Sequence, residues 1–236
     1  MERQTIQIAQ RRNYDGIYNR YIKRIIGLVI SVIALIVLSP AFLIISIAVV
    51  CESGFPVFYR APRGGYLGKS FRIFKFRSMV KNADKIGGGT TALNDSRITG
   101  VGAFLRKTKL DEIAQLLNII NGTMSFVGPR PELLNYTGRY SGEEKLIFEV
   151  RPGITDFSSV EFINLDELVG DSDADSVYEK YVLKRKNSLR VKYANEVSFK
   201  TDVRLFVITA FKTASKALHI IFATGEKHGK ADNKKF

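Results

Sequence analysis

Cysteine, histidine and acid are all in short supply in this 236-residue chain. It has one cysteine, Cys51, and two histidines, His219 and His228. A single cysteine excludes a disulfide framework and a multi-cysteine zinc site, so nothing demands an oxidising compartment. Two histidines late in the chain do not make a histidine metal site. Any metal is expected to be a hard cation held by carboxylates and phosphates. Asp and Glu number 23 against 36 Lys and Arg, a formal net charge of +13. That excess points to phosphate, whether in anionic lipid, nucleotide or nucleic acid. At 45% hydrophobic and 25% charged residues, the chain can bury a core without covalent staples.

What is present begins with an uncharged run from Ile25 to Cys51, IIGLVISVIALIVLSPAFLIISIAVVC. It exceeds the ~20 residues of a spanning helix. A signal peptide fits poorly, because the run starts late and is longer than the usual ~7–15-residue apolar region. A lipoprotein signal at Cys51 fits worse, since Val50 is bulky where a small residue is wanted. Hydropathy alone reads as a transmembrane anchor. Two features favour a helix that enters and returns. Ser39-Pro40 sits near the middle, where Pro40 removes a donor and crowds the Ile36 carbonyl. Each leg is then roughly 15 residues or about 22 Å, short of a ~30 Å core. Basic residues also flank both ends: Arg20, Lys23 and Arg24 before, Arg60, Arg63, Lys69, Arg72, Lys75 and Arg77 after. The positive-inside rule puts both flanks in the cytoplasm. On the residues alone, a kinked spanning helix and a re-entrant one both stay open.

Residues 1–20 read as a helix on the membrane surface. Val57-Phe58-Tyr59 and Phe71–Phe76, with Gly64-Gly65 and Gly68 between them, predict a β-hairpin. Residues 86–100, with three consecutive glycines, read as an exposed mobile loop. Helical periodicity covers Leu110–Asn121, 176–193 and 198–223. The last helix is expected to pack on the core, with a helix lying on a bilayer as the alternative. The basic tail from residue 225 is expected to be disordered. Three parts result: 1–52, 53–224 and 225–236. The segment RGGYLGKS is no phosphate-binding P-loop, because position 63 is arginine rather than glycine.

Asp111-Glu112 opens the apolar helix. Acids favour a first helical turn, and Thr108 with Asp111 has capping-box spacing, which would explain the pair without chemistry. The functional reading uses the same spacing. Adjacent carboxylates diverge around a helix, so one can attack while the other handles a proton or metal. Arg106, Lys107 and Lys109 would keep Asp111 ionised and receive phosphate. In Pro129-Arg130-Pro131, two prolines fix the backbone around one arginine, either as a rigid turn or to present the guanidinium to an anion. Lys75-Phe76-Arg77 is a third basic cluster.

Together these segments resemble the small monotopic phosphoglycosyl transferases, bacterial sugar transferases that start glycan assembly on undecaprenyl phosphate. The matching pieces are Ser39-Pro40, KFRSM from Lys75, RITGVGAFLRKTKLDEIAQLLNIINGTMSFVGPRPE, RPGIT from Arg151, and YANEVSFKTD. The resemblance implies a mostly helical α+β fold, with a re-entrant membrane helix broken at Ser39-Pro40 and a compact catalytic domain carrying a small hairpin. It places the domain on the cytoplasmic face of the bacterial inner membrane, inserted in one leaflet. It implies that Asp111 attacks a UDP-sugar, expelling UMP, and that undecaprenyl phosphate then takes the phosphosugar. Glu112 would assist and Mg²⁺ would bind at Asp111. Lys75, Arg77, Arg106 and Arg130 would contact phosphate, with Pro129 and Pro131 holding a rigid loop. Nucleic acid is not an expected partner, and adjacent carboxylates do not suit a glycosidase. The chain departs from the family pattern after RPGIT. There DFSSVEFIN puts Phe157 where many members have tryptophan and Ile163 where they have arginine. A different sugar pocket, or an inactive membrane-tethered relative, follows as the alternative. The sugar, and whether the chain forms a homo-oligomer, are left open.

Overall fold

The computed structural model describes residues 13–92, 95–170 and 173–232. Most of the expected surface helix, residues 1–12, lies outside them. The apolar run forms helices α1 (Lys23–Val37) and α2 (Ser39–Ser53), separated by Leu38 at φ −87°, ψ 1°. Pro40 has no N–H to give the Ile36 carbonyl, and the Ser39 hydroxyl donates to that carbonyl instead, at 2.8 Å. The Ile36 carbonyl therefore keeps a donor across the break, and the pair bends by 65°. No single helix among the described residues is long and apolar enough to cross a membrane; the bent pair passes only jointly.

Its inner face packs on the domain, where Ala34, Leu38 and Phe42 meet Ile73, Leu116 and Ile119. Its outer face leaves Ile25, Ile33, Ile36, Val37, Leu43 and Ile44 exposed, a patch too apolar for an ordinary wet surface. Both ends are fastened to the same body. Lys23 pairs with Asp202 at 2.9 Å, and Arg24 donates to the carbonyls of Ile119 and Ile120. At the far end Arg77 donates to Ser53 Oγ at 2.8 Å and to the Gly54 carbonyl, while Glu52 accepts from the Val101 amide at 3.0 Å.

Strands β1 (Phe58–Gly64) and β2 (Ser70–Phe76) form the predicted antiparallel hairpin, in register from Phe58↔Phe76 to Gly64↔Ser70. Then follow α3 (Ala83–Ile86), α4 (Gly100–Thr108), α5 (Leu116–Ile120), β3 (Ser125–Val127), α6 (Leu134–Thr137) and β4 (Gly153–Thr155). The chain continues through α7 (Phe157–Glu161), α8 (Leu165–Val169), α9 (Ala174–Val177), α10 (Leu183–Glu196) and α11 (Phe199–Asp232). The mostly helical α+β architecture matches the expectation.

Several details differ. Leu110–Asn121 is not one α-helix: Leu110–Gln115 is a 3-10 turn leading into α5. Thr108 is not its cap either. Its hydroxyl donates back to the Phe104 carbonyl at 2.8 Å, and Lys109 at φ 59° turns the chain between the two helices. The loop after residue 86 is tied down, since the Gly89 and Thr90 amides donate to Asp175 at 3.0 and 2.7 Å. Helix α11 continues through Gly225, the expected start of a disordered tail, to Asp232. Its alanines, Glu226 and lysines are good helix formers. Residues 233–236 lie outside the described residues. On α11 Leu205 packs in the core, but Phe199, Val203, Val207 and Phe211 stay exposed.

The sequence did not predict the parallel pair β3–β4, with Ser125↔Gly153 and Val127↔Thr155. Two glycines let these strands converge. A Cβ on Gly128 would lie 2.2 Å from the Arg151 carbonyl oxygen, and one on Gly153 would lie 2.2 Å from the Gly128 nitrogen. Gly102 plays the same part where α4 meets the hairpin's exit, 2.0 Å from the Ser78 oxygen by the same construction.

Gly153→Ala is accordingly expected to lower the melting temperature by roughly 5 °C or more, measured by differential scanning fluorimetry. A second prediction concerns Lys186, buried against the Tyr178 ring at 4.9 Å. Burial, aided by Arg190, pushes its ammonium down to about 7. Its folded pKa lies below its unfolded one, so stability rises with pH between about 7 and 10.5. Lys186→Met should raise the melting temperature at pH 6 by roughly 3–5 °C, with the gain shrinking towards pH 10.

Candidate active site

Asp111 and Glu112 stand in the first turn after the left-handed Lys109. Asp111 is 4% exposed, and among the described residues its Oδ1 has no hydrogen-bond partner. Burial pushes its pKa up, against the positive charges of Lys75, Arg106 and Lys109; the Glu112 carboxylate pushes the same way as burial. The basic neighbours thus work against desolvation, which is the largest single influence on this carboxyl.

Glu112 has the opposite fate. Burial would raise its pKa too, but Arg130 and Lys75 outweigh it and hold the carboxyl well below the usual range. Lys75 Nζ lies 2.9 Å from Oε1. Arg130 grips the same carboxylate with two nitrogens, Nη1 to Oε2 at 3.0 Å and Nη2 to Oε1. Such a two-point contact fixes orientation as well as distance. Glu112 in turn holds the Arg130 guanidinium above its ordinary value despite burial.

Three elements converge to build this cluster. Lys75 comes from β2, the carboxylates from the 3-10 turn and Arg130 from the loop leaving β3. The RPGIT strand anchors that loop, because Arg130 Nη1 also donates to the Ile154 carbonyl at 3.0 Å. The Arg130 amide donates to Asp156 Oδ2 at 3.4 Å. Asp156 is wholly buried and caps α7, accepting from the Ser159 amide at 2.7 Å and from Ser158 Oγ at 2.8 Å. Pro129 and Pro131 remove the remaining slack on either side of Arg130.

The other two expected phosphate contacts are placed differently. The Arg106 side chain, in the last turn of α4, makes no hydrogen bond or ion pair with another described residue, and its charge acts on Asp111. Arg77 is buried and committed to Ser53 and Gly54, so it latches the end of α2 rather than joining the Glu112 cluster. Phe157, expected to stand in for an aromatic of the sugar pocket, packs edge-on against Tyr193 with a centroid distance of 6.3 Å, under Lys192. Ile163 lies half-buried in the turn between α7 and α8.

Sequence reasoning missed Asp156, and it missed Gln115, one turn beyond Asp111. Gln115 is fully buried, and neither its Oε1 nor its Nε2 has a partner among the described residues. An unpaired buried amide is costly, and it lies in the same turn as the unpaired Asp111 Oδ1. The i, i+4 spacing from Asp111 was the available signal.

A divalent cation is compatible with this turn. Among the described residues no group of three His, Cys, Asp or Glu side chains converges. The open Asp111 Oδ1 is a hard oxygen donor, whereas Glu112 is already shared by two cations. Mg²⁺ commonly takes one or two carboxylates and completes its shell with water and substrate phosphates, and that donor set fits.

The sequence pattern of the family described as "Bacterial sugar transferase" matches residues 18–216. The chain is 35% identical to the UDP-glucose:undecaprenyl-phosphate glucose-1-phosphate transferase of Escherichia coli (strain K12), over 82% of this chain and 40% of that protein. It is 36% identical to the UDP-N-acetylgalactosamine-undecaprenyl-phosphate N-acetylgalactosaminephosphotransferase of Aeromonas hydrophila, over 59% and 34%. An uncharacterised sugar transferase of Bacillus subtilis (strain 168) is 33% identical over 81% of this chain and 86% of its own length. The chain thus spans less than half of the first two relatives and most of the third. With Asp111, Glu112, Lys75, Arg106 and Arg130 all inside the matched 18–216, the chain belongs to the bacterial sugar transferase family.

Proposed function

We propose that this chain moves a sugar 1-phosphate from a UDP-sugar to undecaprenyl phosphate through a phosphosugar carried on Asp111. The observation behind this reading is the buried, unpartnered Asp111 oxygen beside a glutamate clamped by Lys75 and Arg130. A carboxylate that burial makes more basic is a better nucleophile once ionised, and Lys75 and Arg106 favour that ionisation. In the first step an Asp111 oxygen bonds to the sugar-bearing phosphorus. The bond from that phosphorus to the bridging oxygen breaks, and UMP leaves with the electron pair. In the second step an oxygen of the lipid phosphate bonds to the same phosphorus and the aspartyl bond breaks, restoring Asp111 and releasing the lipid diphosphosugar.

Glu112 is a poor base at so low a pKa. Its role in this reading is to hold Lys75 and Arg130 where phosphoryl oxygens arrive, with Arg106 on the Asp111 side. Asp111 would hold a Mg²⁺, whose charge would help neutralise the phosphoryl oxygens. Relatives named for glucose and for N-acetylgalactosamine flank the chain in similarity, so the donor sugar stays unassigned.

The bent pair α1–α2 is read as re-entrant, with the domain on the cytoplasmic face of the bacterial membrane. Both of its ends are fastened to one body, which a spanning helix would prevent. Legs of 15 residues are about 22 Å long. Splayed evenly about a 65° bend, they reach roughly 12 Å deep, less than the ~15 Å of one leaflet's hydrocarbon.

Purified protein with Mg²⁺, undecaprenyl phosphate and a panel of UDP-sugars is expected to release UMP with at least one donor. Asp111→Asn should lower the rate ~10³-fold or more, and Arg130→Ala ~10²-fold. With labelled donor and no lipid, wild type should retain label on the protein and Asp111→Asn should not; equal labelling of both would reject the covalent step. For topology, cysteines placed at Asp15 and at Lys69 in a Cys51→Ser background should react with an impermeant maleimide only after lysis. Labelling of either site in intact cells would refute re-entry.

A further inference from the structure

Two residues beyond Arg130, on the far side of Pro131, stands Glu132. Its side chain points into a second buried cluster, with no expected part in the chemistry. Arg190 of α10, 1% exposed, donates from Nη2 to Glu132 Oε2 at 2.9 Å. The Tyr178 hydroxyl donates to the same oxygen, and the Leu133 amide donates to Oε1 at 3.1 Å. The clamp is braced in turn, since Arg190 Nη1 donates to Asn187 Oδ1 at 2.9 Å and Asn187 Nδ2 donates to Glu144 Oε1 at 2.9 Å. The Glu132 carbonyl accepts from the Gly64 amide at 3.1 Å, tying the same residue to the hairpin that carries Lys75. Arg190 and Lys186 hold the Glu132 carboxyl down at about 2 despite its burial.

We propose that Glu132, clamped by Arg190 and Tyr178, is a positioning residue that aims Arg130 at Glu112. Little slack separates the two residues. Pro131 fixes the backbone between Arg130 and Glu132, so a displacement of Glu132 is passed to Arg130 rather than absorbed. Arg130 then has to meet Glu112 with two nitrogens in one plane, a geometry that tolerates little error. A buried charge pair is weak evidence for stability, because desolvation offsets most of its attraction, and holding one conformation is its better-attested use. Helix α10, remote from the carboxylates in sequence, thereby acts on the site.

The inference deepens the proposed reaction and rests on it for its kinetic part, but one readout does not need turnover. Arg130 is held on Glu112 by two nitrogens and on the Ile154 carbonyl by one of them, so its guanidinium should give resolved, slowly rotating signals in ¹⁵N-arginine NMR, assigned by Arg130→Lys. In Glu132→Gln those signals should average, and kcat for UMP release should fall ~10-fold or more.

Glu132→Gln leaves Arg190 without a charge partner and can lose stability on that account alone. Two further variants separate the effects. Tyr178→Phe removes one hydroxyl and should lower kcat ~3-fold or more. Glu132→Gln with Arg190→Met removes both charges and should regain the wild-type melting temperature while kcat stays low and the Arg130 signals stay averaged. A double variant that regains both stability and the wild-type Arg130 signals would overturn the proposal, as would Glu132→Gln with unmoved Arg130 signals. If wild type releases no UMP with any donor, the reaction reading fails and the Arg130 signals alone decide the positioning claim.

Discussion

A carboxylate taken out of water has to be met by positive charge, and Glu112 meets two. That one site joins three parts of the chain distant in sequence: β2 through Lys75, the 3-10 turn through Glu112, and the loop after β3 through Arg130. Around it the remaining elements read as supports. The β3–β4 pair holds the arginine loop from one side and the Glu132 clamp holds it from the other. Gly102 brings α4 close enough to the hairpin's exit for Arg106 to face Asp111. With Glu112 satisfied, its neighbour is left in the contrary state. Asp111 is buried with an oxygen no described partner claims, and that difference sets the two acids apart: one anchors the cluster and the other is left free for the nucleophilic part proposed above.

Much of this was legible in the chain because it rests on local chemistry. Alternation and glycine punctuation gave the hairpin. Ser39-Pro40 gave the bend, since proline's missing donor is a property of one residue. Asp111-Glu112, Lys75 and Arg130 stood out by type and spacing. What stayed hidden depends on where distant segments meet. Strands of three residues are too short to show a period, so β3–β4 was invisible, although the glycines in GPRP and RPGIT marked where two backbones touch. Basic residues near one another in sequence also parted in space. Lys75 faces the carboxylates, whereas Arg77, two residues on, turns to the end of α2. The capping-box spacing at Thr108 misled because Lys109 adopts a left-handed turn that no periodicity announces.

The exposed apolar surface has a bearing on where the chemistry happens. Outer faces of α1 and α2 carry large aliphatic side chains, and Phe199, Val203, Val207 and Phe211 add another row on α11. A phosphorylated lipid keeps its charged head at the interface, so a site that serves one must stay near that plane. In the proposed reading, a strongly basic chain would be drawn to an anionic surface over about a Debye length, and its apolar rows would then set how deep it settles.

The inner face of α1–α2 carries a different implication. Ala34, Leu38 and Phe42 fill the same cluster as Ile73 and Ile119, and Ile45 and Val49 lie with Phe76 and Leu105. The hydrophobic hairpin is therefore not a tether that can be cut away without cost. It supplies one wall of the domain's own interior, and removing it would bare Ile73, Phe76, Leu105 and Ile119 to water.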